Sequence, residues 1–150
     1  MAFKMINKRG VSKYILTYHL RIEKALIYAL GALIAELENH AKLNAGYKDR
    51  TSNLKGSIGG VLLKDGEVVK WSGFDQYGSK GNQDGKDFIN TLIGENSKGY
   101  VIIIVAGMEY ATYVENYHGL NVLKQTELKM RRELPKLLEG MKSKIDRLGI

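Results

Sequence analysis

The chain contains no cysteine, one proline, three histidines, one tryptophan and three phenylalanines. Without cysteine there is no disulfide framework, no thiol nucleophile and no thiolate-held zinc or iron–sulfur centre. The three histidines, His19, His40 and His118, form no spaced pair of the zinc-hydrolase kind. Long apolar runs are also missing. Ala25 to Leu37 and Tyr100 to Met108 are the longest, and both fall short of the roughly 20 residues that a membrane-crossing helix needs. The first residues lack the apolar core and small-residue cleavage site of a secretory leader, so an intracellular protein is expected.

What is present fits one domain spanning residues 1–150. A body of this size buries roughly 68–70% of its unfolded surface, which is enough for a core without metal or disulfide staples. The 23 basic and 16 acidic residues give +7 (23 − 16), and the excess sits at the two ends. Residues 1–24 carry six bases and one acid (+5), residues 124–147 carry eight bases and four acids (+4), and the middle is left at −2. Charge polarised in this way suits an anionic partner, but Lys and Arg on solvated terminal helices are its commoner cause.

Apolar residues from Tyr18 to Leu43 recur at spacings of three and four (Ile22, Leu26, Ala29, Leu30, Leu33, Leu37, Ala41), the pattern of an amphipathic helix. Asn44-Ala45-Gly46 closes it, and residues 1–17 read as a basic N-terminal segment. Ser57 to Leu63 and Glu67 to Trp71 flank Asp65-Gly66, which predicts a β-hairpin with a two-residue turn. Residues 72–99 are rich in Gly, Ser, Asn and Asp and read as a long flexible loop with a partner-binding role, in which Phe88 to Ile93 forms a strand or a helical turn. The β-branched run Tyr100 to Ala106 predicts the central strand of the sheet, covered on both faces. A short helix carries Tyr110, Tyr113, Val114 and Tyr117. A long final helix follows, with a kink or restart at Pro135. The expected class is α+β: a small antiparallel sheet with a hairpin, packed against long N- and C-terminal helices.

Few residues offer chemistry. Glu115 and His118 could act as acid and base, yet no nucleophile or oxyanion site accompanies them. Gly56 to Gly60 lacks the Lys-Ser/Thr ending of a phosphate loop, and Gly78 to Gly85 lacks calcium-loop spacing. No catalytic residue, cofactor or metal is expected. Tyrosine is abundant instead, with nine in the chain. It is favoured at protein interfaces because it buries a large area with little entropy loss and keeps a polar handle. It also serves in stacking on single-stranded nucleic acid, although such platforms normally lie on an open sheet face.

Two blocks carry a more specific likeness. Tyr47-Lys-Asp-Arg-Thr-Ser-Asn-Leu-Lys-Gly-Ser-Ile58 resembles the D-x-T-G-x-L-R-x-S-I block of the tail-completion or head–tail joining proteins of long-tailed bacteriophages and prophages. Met108-Glu-Tyr-Ala-Thr-Tyr-Val-Glu-Asn-Tyr117 is similar to their Y-A-x-Y-V-E-x-G block. Ser52 replaces the usual Gly, Lys55 replaces the usual Arg, and the expected Gly is delayed to Gly119. The resemblance implies a structural neck protein, not an enzyme. It would form a ring, a hexamer or dodecamer, between the head connector or portal-side protein and the tail terminator or tail tube.

Such a protein would be assembled in the host bacterial cytoplasm and end in the virion neck. Duplex DNA would pass through it without specific binding, and no membrane would be involved. A strongly basic lumen would hold DNA through many phosphates, so the basic termini are expected to face protein partners or the exterior. The interface residues this reading singles out are Arg50, Thr51, Asn53, Lys55, Tyr77, Tyr110, Tyr113, Glu115 and Tyr117, with Ala111 and Val114 facing inward. A different class, a basic nucleic-acid-binding module, remains the alternative.

Overall fold

A computed structural model describes residues 8–44, 46–48, 53–74, 79–95, 98–117, 120 and 122–147. Helix α1 runs from Lys8 to Leu43, α2 from Asn53 to Gly56, and strands β1 and β2 span Ile58–Lys64 and Glu67–Gly73. Helix α3 (Ser79–Ile93), strand β3 (Tyr100–Ala106), α4 (Ala111–Asn116) and α5 (Lys124–Arg147) complete the described order. The class is α+β, as the periodicity predicts: one antiparallel sheet ordered β2-β1-β3, with the long first and last helices packed against it.

The hairpin forms where Asp65-Gly66 stands. Both residues have positive φ (50° and 84°), the mirror-image turn whose twist matches paired strands. Asp65 also ties the start of β3 to the hairpin: its N–H donates to the Gly99 carbonyl at 2.9 Å, and its Oδ1 accepts from the Gly99 N–H at 2.9 Å. Between Leu62 and Leu63 the register slips, leaving Val69 as an extra residue on β2, a bulge on an edge strand.

The central strand is β1, which corrects the expectation for the Tyr100–Ala106 run. Its glycines are the reason. A Cβ at Gly60 would lie 2.7 Å from Ile34 Cγ2 of α1, and one at Gly59 would lie 2.6 Å from the Phe74 ring. Bare backbone there lets packing close on both faces, and Ile58, Val61, Leu62 and Leu63 become fully buried. Each such side chain contributes about 1.5–3 kcal/mol relative to exposure. Strand β3 is an edge strand, and most of its residues are only half-buried.

One further expectation is corrected and two are made more specific. The stretch 72–99 is not a long flexible loop, because α3 occupies Ser79–Ile93. Gly81 and Gly85 weaken local helix propensity, but they allow α3 to pack closely. A side chain at Gly81 would collide with the Asn53 backbone, and one at Gly85 would meet the Phe74 ring and the Ser57 carbonyl. Deleting Gly78 to Gly85 would therefore remove the first half of a packed helix. The basic N-terminal segment is helical from Lys8, ten residues before the periodic stripe begins. Finally, of the kink or restart expected at Pro135, the restart does not occur, since α5 is one helix from Lys124 to Arg147.

Helix α1 and the hairpin are held in line by polar links. Glu23 pairs with Lys64 at the end of β1, the Lys70 side chain lies over Gly31, and Ser72 Oγ donates to Glu38 Oε2 at 2.9 Å. Since Lys64 meets Glu23, residues 8–22 extend beyond the end of the sheet, over about 22 Å at 1.5 Å per residue. On the other side α5 runs antiparallel to α1. Lys129 pairs with Glu36 at 2.7 Å, and Leu134 and Leu137 pack on the cluster of Leu30, Ile34 and Leu62.

Candidate interface surfaces

The predicted interface residues fall on two elements. On α4, Ala111 is buried and Val114 half-buried against the cluster containing Ala41, Leu54 and Ile58, which fixes the helix by its inner face. The 3.6-residue period then turns Tyr110, Tyr113 and Tyr117 outward, and Tyr113 is 67% exposed. The rings of Tyr113 and Tyr117 stack at 5.5 Å with 23° between planes, making a flat aromatic surface.

Glu115 differs from the expectation of a neighbour-facing acid. Its carboxylate turns onto the start of α5 and accepts N–H groups from Val122 (2.6 Å), Leu123 (2.7 Å) and Lys124 (2.8 Å). Free N–H groups and the positive end of the helix dipole favour an anion at that place.

On α2, Asn53 fastens α3: its Oδ1 accepts the Gly81 N–H at 3.4 Å. Lys55 is half-buried on the same turn. Leu54 and Ala111 share one buried cluster, so α2 and α4 are brought together. Arg50, Thr51 and Tyr77 lie outside the described residues, as does His118.

Two surfaces went unpredicted. The first is the part of α1 that runs past the sheet, where Ile15 and Leu16 are 62% and 59% exposed and Leu20 is nearly half-exposed. Tyr28, 78% exposed, continues the row, since 16, 20 and 28 differ by multiples of four. A signal existed in the sequence: Leu16 and Leu20 fall outside the inward stripe through Tyr18, Ile22 and Leu26, whereas Ile15 lies on that stripe, three residues before Tyr18, and is exposed although on the packed face.

The second is a groove beside β3. Its floor is the unpaired outer edge of that strand, one wall is Phe88 and Leu92 of α3, and the other is Leu123, Glu127 and Met130 at the start of α5. Two adjoining cavities of about 450 and 460 Å³ share Leu92, Ile104, Leu123 and Glu127. Recognising it requires knowing that β3 is an edge, which apolar patterning alone does not reveal.

The polar groups around these surfaces are structural. His40 Nδ1 lies 3.0 Å from Thr126 Oγ1 and links α1 to α5. Burial, then the charges of Lys129 and Arg132, hold its pKa below the ordinary 6.5. Glu127 is held below the usual carboxylate range, chiefly by its hydrogen bond from Arg131 and then by the charge of Lys124. Among the described residues, no group of three or more His, Asp and Glu is placed to hold a metal ion, and no helix is long and apolar enough to cross a membrane. No family model, curated protein or solved structure matches the chain.

Proposed function

We propose that this chain is a structural component of a phage or prophage neck, of the tail-completion or head–tail connector kind, that works by packing against copies of itself and adjoining rings. The observation carrying the reading is the presence of separate, unlike apolar surfaces on one small domain: the outward row of α1, the stacked tyrosines of α4 and the groove along β3. Exposed apolar side chains grouped on one surface, unlike ones scattered singly, are a mark of interaction sites. When the two contacting surfaces differ, association is head-to-tail and closes into a ring if the rotation permits. The resemblance of residues 47–58 and 108–117 to neck-protein blocks, in the same chain order, supports the assignment.

In that setting the ring sits between the head connector and the tail tube, in virions assembled in the host cytoplasm, and DNA passes through it unbound. The alternative of a basic nucleic-acid-binding module is disfavoured by the pairing of several bases on α5: Lys129 with Glu36, Arg131 with Glu127 at 2.8 Å, and Arg132 with Glu133 at 3.1 Å. Phosphate contacts would have to compete with those carboxylates. Sedimentation velocity over rising protein concentration, beside a duplex-DNA titration at two salt concentrations, separates the two. Concentration-dependent oligomers with weak DNA affinity are expected; a persistent monomer that binds DNA tightly with a steep salt slope would overturn the assignment.

A further inference from the structure

The projecting part of α1 and the groove beside β3 are complementary in three respects. In length, residues 8–22 span about 22 Å as helix, and the seven residues of β3 span about 23 Å as strand. In polarity, the helix offers Ile15, Leu16 and Leu20, while the groove offers Leu92, Ile104 and Met130. In charge, residues 8–22 hold four bases and no acid (+4), whereas residues 79–127, from α3 to the first turn of α5, hold four bases and six acids (−2). Glu115 and Glu127 line the groove together with Lys124, Glu115 holding three N–H groups of the α5 start and Glu127 paired with Arg131, so the charge match is a property of the segments as wholes.

The two surfaces cannot meet within one chain. Glu23 is fixed to Lys64 at the hairpin end of the sheet, so residues 8–22 of the continuous helix run past that end, away from the β3 groove. Sharp bends in helices need a proline, a π-bulge or a comparable insertion, and α1 contains no proline. The groove, for its part, needs a cover. An exposed β-branched edge strand is a template for unwanted pairing, and proteins often shield such edges with a helix.

We propose that residues 8–22 of one copy lie in the β3 groove of the next, as an amphipathic helix in an apolar groove. This deepens the self-assembly reading and rests on it. The contact is heterologous: each copy gives a helix to one neighbour and receives one from the other. Its electrostatic part weakens as salt shortens the screening length.

The natural absence of cysteine makes the test direct. Chains bearing Leu16→Cys and chains bearing Met130→Cys are made separately, checked for native circular dichroism, mixed and oxidised. Leu92→Cys on the opposite wall serves as a second acceptor should Met130→Cys fail to fold, and Leu138→Cys, exposed on α5 away from the groove, serves as the control. The expected result is a disulfide-linked dimer of unlike chains, absent from either variant alone and from the Leu138→Cys mixture, and diminished by added salt. Oligomers that persist with no unlike-chain dimer, or single variants that link to themselves as readily, would overturn the docking while leaving self-assembly standing. A chain monomeric even at millimolar concentration would overturn both.

Discussion

The two halves of α1 obey the same helical geometry and meet opposite surroundings. From Leu30 onward the inner face is sealed: Leu30, Leu33, Ile34, Leu37 and Ala41 are buried against the sheet and α5, and Glu38 is satisfied by Lys42 at 2.6 Å and by Ser72. Before Glu23 the helix runs past the sheet with Ile15, Leu16 and Leu20 exposed. A short helix in water is marginal by itself, so the projecting half borrows its order from the half that is packed. Residues of the same types are thus buried in one half and exposed in the other.

Substitutions should separate the halves sharply. Ile34→Ala removes a fully buried side chain that packs on Leu30, Leu62 and Gly60. It should cost about 2–5 kcal/mol in urea unfolding; a cost like that of a surface change would break the distinction. Glu115→Ala strips a carboxylate from three N–H groups at the start of α5. The expected loss is about 1–3 kcal/mol by the same measurement, and Glu115→Gln, which keeps an acceptor, should recover part of it. Leu16→Ala should change unfolding by no more than about 0.5 kcal/mol, because its side chain is already in water.

Much of this architecture was legible from residues. The three-and-four spacing from Ile22 to Ala41 marked the packed face of α1, Asp65-Gly66 marked the hairpin, and the Ala111 and Val114 pattern turned the α4 tyrosines outward. Where the reading failed, tertiary packing outweighed local preference. Gly81 and Gly85 lower helix propensity, so α3 read as loop, yet those glycines are what admit Asn53, Ser57 and Phe74 against it. The run Val101 to Val105 looked central because it is wholly apolar, while β1 took the centre through Gly59 and Gly60. Glu115 looked like a surface acid because the nearby start of α5 is a relation in space, and no spacing rule encodes it. The groove was invisible for a related reason: its walls come from segments about 30 residues apart in the chain, on either side of β3.

The central claim is that the outer half of α1 serves contact between copies and the inner half serves the fold. The most direct test compares the natural chain with the Leu16→Glu, Leu20→Glu double variant, reading urea unfolding of the dilute protein and sedimentation of the concentrated protein from the same preparations. Unchanged unfolding together with loss of the oligomer is the expected result. Full assembly by the variant, or unfolding as severe as that of Ile34→Ala, would contradict it.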